Sequence, residues 1–278
     1  MTAGGESIAS GYSFIIPTIG RADSLSRVLE QIEAIIREPH DLVLALDGCD
    51  AATEAAVRGV AGRIVRARLS VVTLETRSGA SAARNRAVMA AAGPVCVFLD
   101  DDVVISEEWW RAVTTELARG ARCLTGPVLT NERSLLASAR AQRYLARYEG
   151  VRTGDHVGFL AGGNAVILRD LLLSVGGFPE AAVAGDSLLV PSLERSGAAC
   201  VFVREMWVGH QHDRGLATAG ANAFRAGWLG GSVRGVTTEL GSLARQVRHL
   251  SHLPPFGLNC ALLVVKLAGA VTAWSVRP

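Results

Sequence analysis

The sequence predicts an α/β fold, a doubly wound and mostly parallel sheet with helices on both faces, followed by a C-terminal helical appendage. Three observations point to it. Over roughly the first hundred residues, four short apolar runs are continuous rather than alternating, the pattern of strands buried on both faces. Helical patterns separate those runs, which is the rhythm of βαβ units. Each run is followed by a polar segment, and parallel α/β sheets bind ligands beyond the carboxyl ends of their strands.

Taken in order, residues 13–17 form a first strand that the proline should stop. Asp23 is placed to cap a helix whose apolar positions Leu25, Val28, Leu29, Ile32 and Ile36 follow helical spacing. Residues 42–46 read as a second strand ending at Asp47-Gly48, and Asp50 caps a short Ala-rich helix. A third strand covers 69–74, a helix 81–92 closes at Gly93-Pro94, and 95–99 is the fourth strand. Ser106 caps a helix containing Trp109 and Trp110, and 123–128 reads as another strand. Residues 133–147 look helical, 150–158 form a loop, and 170–175 make a short helix before the turn Gly176-Gly177-Phe178-Pro179. A last helix spans 187–196, with Pro191 in its first turn or at a kink.

Composition narrows the function. The chain has 278 residues, 49% hydrophobic, so it can bury a sizeable core, and disorder is excluded. A net charge of +2 provides little general attraction to phosphate, which argues against a nucleic-acid partner. The five cysteines (Cys49, Cys96, Cys123, Cys200, Cys260) are scattered, odd in number and lack a Cys-x-x-Cys pair. Neither zinc nor a disulfide framework fits, and a reducing compartment does. Residues 1–10 carry no basic stretch followed by an apolar run, so the expected location is cytoplasmic.

Polar groups converge at the strand ends. The first strand leads to Thr18, Gly20 and Arg21, the second to Asp47, Gly48 and Asp50, and the third to Arg77, Ser78 and Gly79, with Arg84 and Asn85 on the next helix. The fourth ends in Asp100-Asp101-Asp102. Three adjacent carboxylates behind a buried strand repel one another and call for a compensating cation. An oxygen-only site of this kind suits Mg²⁺ or Mn²⁺ bound together with substrate phosphates. Alternation turns Asp100 and Asp102 to one side and Asp101 to the other. The competing reading is a solvated acidic turn. Gly79 lies in no G-x-G-x-x-G pattern, and the only lysine, Lys266, leaves no Walker lysine.

The ordered set Phe14-Ile15-Ile16-Pro17-Thr18, Asp47-Gly48, Ala83-Arg84-Asn85 and Phe98-Leu99-Asp100-Asp101-Asp102 resembles glycosyltransferase family 2 on a GT-A fold. It continues through Gly162-Gly163-Asn164, Gly176-Gly177-Phe178, Gly185-Asp186 and His210. The resemblance implies a metal-dependent inverting transfer of a sugar from a nucleotide diphosphate donor, a UDP-sugar first by family frequency, to an acceptor hydroxyl. It assigns Pro17, Thr18, Asp47, Gly79, Arg84, Asp100 and Asp101 to the donor nucleotide, with Asp102 and His210 as ligands of Mn²⁺ or Mg²⁺. Asp186 takes the general base, and Gly162, Gly163 and Asn164 the acceptor side. Asp186 also reads as the cap of the helix at Ser187, and His212 stands beside His210 as an alternative ligand. The chain has Gly185-Asp186 where members often have Glu-Asp, Ser192-Leu193 where an arginine often precedes the leucine, and Leu46 before the Asp-Gly.

The division expected is a disordered 1–12, a catalytic domain 13–215 with a nucleotide half 13–105 and an acceptor half 106–215, and a helical 216–278. Residues 204–278 hold eight Lys/Arg against three Asp/Glu, so the first 203 carry a net −3. That basic region includes Phe224, Trp228 and Leu229 with Arg225 and Arg234, and an apolar run 256–276 interrupted by Lys266. It suits an interfacial helix on an anionic membrane surface, a homodimer contact, or packing on the catalytic domain. Acceptors consistent with this are lipid-linked or polysaccharide precursors and small secondary metabolites. A nucleotidyltransferase would need a basic Gly-rich loop after the first strand, and Thr18-Ile19-Gly20-Arg21-Ala22 is a poor one. A non-catalytic nucleotide-sugar binder would retain the aspartates and lose the use of Asp186.

Overall fold

A computed structural model describes residues 11–130, 145, 147–180, 185–210, 224, 261 and 264–268. The elements run β1 (Tyr12–Thr18), α1 (Ala22–Ile35), β2 (His40–Asp47), α2 (Ala51–Ala61), β3 (Ala67–Leu74), α3 (Ala80–Ala90) and β4 (Val95–Leu99). Then come β5 (Val103–Val104), α4 (Glu107–Ala118), β6 (Cys123–Thr125), β7 (Val128–Thr130), β8 (Asn164–Leu168), α5 (Arg169–Ser174), α6 (Gly185–Arg195), β9 (Val201–Phe202) and β10 (Val208–His210). The chain divides into two units, the first from segments through Pro127, Arg152–Glu180 and Gly185–Gly209, the second from Val128–Val151 and from His210 onward.

In the first unit a seven-stranded sheet runs β3-β2-β1-β4-β8-β6-β9. Strands β1 to β4 are parallel, and β8 enters antiparallel between β4 and β6. All eight residues of β2 are buried, so the sheet centre is covered on both faces. The topological switch falls between β1 and β4, because the chain winds one way through β2 and β3 and then returns to the other side of β1. Ligand crevices form at such points.

Pro17 explains how β1 loses one neighbour. Pairing of β1 with β4 ends at Ile15↔Phe98, whereas pairing with β2 continues through Pro17↔Ala45 to Thr18↔Leu46. A central strand cannot keep both neighbours at a residue with no N–H. The strand therefore does not stop at proline as expected. It sheds β4 after Ile15 and keeps β2 through Thr18.

Local signals are met at several boundaries. Asp50 accepts from Thr53 N at 2.8 Å and Ser106 from Trp109 N at 3.2 Å, so both caps form. Asp23 lies in the first turn of α1, two residues inside an Arg21 cap, where its charge still favours the helix dipole. Helix α6 begins at Gly185, so Pro191 falls inside it rather than in its first turn. The 123–128 strand is two strands, broken at Gly126, where a Cβ would lie 1.8 Å from the Met206 carbonyl. Residues 152–158 are tied to β9, with Phe202 N donating to Asp155 O at 2.9 Å and Val157 N to Cys200 O at 2.9 Å. Cys96, Cys123 and Cys200 are buried free thiols. Burial pushes Cys96 up to about 12, and the neighbouring Cys200 together with burial raises Cys123.

In the second unit, Val128 N donates to the Tyr148 hydroxyl at 3.1 Å and Tyr148 is buried. Nearly all of the predicted helix over 133–147 and of 216–278 lies outside the described residues. None of the described helices is long and apolar enough to cross a membrane.

Candidate active site

The end of β4 and the end of β1 meet through side chains. Thr18, 2% exposed at the end of β1, donates its hydroxyl to Asp101 Oδ2 at 2.5 Å. Arg21, in the turn after Gly20, donates to Asp101 through Nε at 3.4 Å and through a second guanidinium nitrogen, and to Asp102 Oδ2 at 2.5 Å. Asp101 and Asp102 are 1% and 2% exposed, while the Asp100 side chain is one-third exposed. Burial raises the Asp101 carboxyl above its ordinary value, helped by the charges of Asp102 and Asp100 and opposed by Thr18 and Arg21. Burial alone would lower Arg21, but Asp101 and Asp102 outweigh it and hold the guanidinium above its usual value.

Asp101 and Asp102 thus share one guanidinium rather than facing opposite ways, and the Asp102 carboxylate is not open to solvent. Asp100 and Asp102 each bring a carboxylate oxygen within 4.8 Å of the other. Two carboxylates this close, both oxygen donors, fit a hard divalent cation.

Helix α3 supplies the next layer. Arg84, 6% exposed, donates to Asp100 Oδ1 at 2.8 Å and lies over the Phe178 ring, 5.7 Å from its centroid. Opposite it, the backbone at Gly162 and Gly163 comes so close that an added Cβ would push the Arg84 and Asp100 side chains aside. A Cβ on Gly163 would sit 2.2 Å from Asp100 Oδ2, and one on Gly162 would sit 2.7 Å from the Arg84 guanidinium and 3.1 Å from Asp186 Cβ. Gly162 N donates to Asp186 Oδ2 at 2.9 Å, and Ser187 N to Asp186 Oδ1 at 2.8 Å. Asp186 is therefore both the start of α6 and a neighbour of the Arg84–Asp100 pair.

The structure thus brings together Thr18, Arg84, Asp100, Asp101, Asp102, Gly162, Gly163 and Asp186. Asp47, at the end of β2, stands apart as a loop anchor, with Oδ1 accepting from Ser78 N at 2.6 Å and Oδ2 from Gly79 N at 2.9 Å. Gly79, at φ 93, opens α3. Asn164 does not face an acceptor. It is fully buried, accepts from Trp109 Nε1 at 2.9 Å and donates to Pro127 O at 3.0 Å and Met206 O at 2.6 Å. Its amide is spent on holding β8 to the neighbouring loops. His210 is half-buried at the end of β10.

Two residues that shape the site fall outside the sequence assignment. Arg21 is one, and its signal was present, since three aspartates behind a strand need a cation and an arginine follows the facing strand. The other is Asn85, which fixes the Gly177-Phe178 turn by donating to Phe178 O at 2.9 Å and accepting from Phe178 N at 2.8 Å. That turn holds the Phe178 ring under Arg84.

Known structures share this architecture. The mannosyltransferase PcManGT from Pyrobaculum calidifontis, in complex with GDP-Man and Mn2+, superposes with a TM-score of 0.61 at 18% identity, covering 98% of this chain and 77% of that one. GalNAc-T7 with UDP, GalNAc and Mn2+ gives 0.61 at 14%, over 98% of this chain and 57% of its own. S. aureus TarS 1-349 in complex with UDP-GlcNAc gives 0.56 at 16%, over 94% and 81%. At such identities the likeness establishes the fold, which is GT-A. No curated protein is recognisably related in sequence. The family described as Glycosyl transferase family 2 matches residues 13–176, more than half of the chain, and the chain belongs to that family.

Proposed function

We propose that the chain is a metal-dependent, inverting glycosyltransferase that moves a sugar from a nucleotide diphosphate sugar to an acceptor hydroxyl. The observation that carries this is the gathering of Asp100, Asp102, Arg84 and Asp186 around the glycine pair 162–163 at the sheet's switch point. The ligands named with the similar structures, GDP-Man, UDP and UDP-GlcNAc, support a nucleotide-sugar donor but differ in base. A UDP-sugar is the first donor to test.

In this reading Asp100 and Asp102 hold Mn²⁺ or Mg²⁺, with His210 joining from the end of β10. Bound there, the ion would supply positive charge to the diphosphate as it leaves. Pro17 and Thr18 line the nucleotide crevice, Asp101 fixes its floor, and Asp47 with Gly79 shapes its rim. Arg84 orients Asp100 and lends its charge to the donor side. Gly162 and Gly163 let the acceptor approach the Arg84–Asp100 pair. Asp186, oriented by two backbone N–H groups, takes the proton of the attacking hydroxyl. Attack on the face opposite the leaving diphosphate inverts the anomeric centre.

The acceptor is a hydroxyl of a lipid-linked or polysaccharide precursor or of a small secondary metabolite. We place the protein in the cytoplasm, with 216–278 as a peripheral membrane contact or dimer surface. A thermal-shift screen of nucleoside diphosphates and nucleotide sugars, with and without Mn²⁺, tests the donor reading, because a bound ligand raises the melting temperature. A UDP-series stabilisation that needs Mn²⁺ supports it. Stabilisation by none of the nucleotides overturns it.

A further inference from the structure

Arg21 and the proposed metal seek the same carboxylate. The guanidinium has three contacts in the acidic cluster, two to Asp101 and one to Asp102. Asp101 has a second partner in Thr18, so it stays anchored whichever way Arg21 turns. Among the described contacts the guanidinium of Arg21 is held by side chains alone. Its side chain is one-third exposed, it follows Gly20 at φ 98, and it caps α1 without a side-chain capping bond.

Charge decides what the pivot does. Asp100, Asp101 and Asp102 set three negative charges against the two positive ones of Arg21 and Arg84, a formal balance of −1. A divalent cation at Asp102 turns that balance to +1 and places it beside the guanidinium at low dielectric, where repulsion is strongest. The diphosphate of a nucleotide sugar carries two negative charges and returns the balance to −1.

We propose that Arg21 is the exchangeable counter-ion of the site. It competes with the divalent cation for Asp102, pivots on Asp101 when displaced, and takes the donor diphosphate as its new partner. The proposal rests on the reading of Asp102 as a metal ligand. Its consequence is that metal and donor bind with positive coupling, and by linkage each strengthens the other by the same factor. Metal without nucleotide binds weakly because Arg21 opposes it.

Calorimetric titration of Mn²⁺ into the full chain, alone and with saturating UDP, tests this in four proteins. In the wild type UDP strengthens Mn²⁺ binding, whereas Arg21→Gln binds Mn²⁺ alone about tenfold more tightly than wild type and shows a smaller effect of UDP. A loss of general structure would weaken binding, so the gain is specific to competition. Arg21→Lys, whose ammonium reaches one carboxylate at a time, falls between the two and serves if Arg21→Gln does not fold. Asp102→Asn weakens Mn²⁺ binding in every case. The proposal is overturned if Arg21→Gln, or Arg21→Lys in its place, binds Mn²⁺ no more tightly than wild type while Asp102→Asn still weakens it. If Asp102→Asn leaves Mn²⁺ binding unchanged, the metal reading itself fails and the competition fails with it.

Discussion

Strand β1 carries a hydroxyl at each end, and each serves a buried aspartate. At the amino end Ser13 donates to Asp41 Oδ2 at 3.0 Å, and that carboxylate also accepts from Ala92 N at 2.8 Å, Gly93 N at 3.1 Å and Arg68 Nε at 2.8 Å. At the carboxyl end Thr18 donates to Asp101, and Arg21 completes the set. The residue types are the same: hydroxyl, carboxylate and arginine. The difference lies in the backbone. Asp41 is held by main-chain amides that cannot leave without unfolding the turn after α3. Asp101 and Asp102 are held among the described contacts by side chains, which can exchange. One end is a structural pin and the other a site.

Substitutions at the two ends should separate these roles. Asp186→Asn, on the functional side, lowers turnover about a thousandfold while donor affinity stays near wild type, read from initial rates and calorimetry. Asp41→Ala does the reverse. It removes the acceptor for two amides and a guanidinium, costing about 3 kcal/mol of unfolding free energy in denaturant titration, with nucleotide affinity unchanged. If Asp41→Ala abolished donor binding while remaining folded, the division between pin and site would be wrong.

Much of this contrast was legible in the sequence at its local level. The strand at 95–99, the caps at Asp50 and Ser106 and the Asp100–Asp102 run follow from short-range pattern, and each is present. What the sequence hid was long-range partnership. Asp41 meets partners 27 to 52 residues away, and nothing beside it marks them. Arg21 was visible but unassigned, since its carboxylates lie 80 and 81 residues on. Asn164 sits in a Gly-Gly-Asn run that invited a ligand role. Only the buried Trp109 indole and two carbonyls across the fold show that its amide is consumed. Pro17 was read as a stop because propensity does not say that a strand can lose one neighbour and keep the other.

Two smaller effects sharpen the same comparison. Asn164→Leu takes the Asn164 partner from the Trp109 indole N–H and the Met206 carbonyl, while Pro127 O keeps Val208 N at 2.9 Å, costing about 2 kcal/mol of stability. Gly163→Ala pushes the Asp100 carboxylate aside, which weakens Mn²⁺-dependent UDP binding about tenfold, or about 1.4 kcal/mol, with little change in melting temperature because the side chain can move. The smallest effect is chemical. With its thiol raised to about 12, Cys96 stays protonated and unalkylated in the native protein at pH 8, as mass spectrometry after iodoacetamide treatment would read. A thiol whose folded value exceeds its unfolded one adds stability that is complete below the unfolded value, near 8.5, and is lost as pH rises from there toward about 12. Cys96→Ala should remove that alkaline decline.

The most direct test of the account is the calorimetric affinity of UDP with and without Mn²⁺, in the wild type and in Asp102→Ala. The account predicts that Mn²⁺ tightens UDP binding to the wild type at least about tenfold and leaves Asp102→Ala unchanged. Equal UDP affinity in the wild type with and without Mn²⁺, or full tightening in Asp102→Ala, would contradict it.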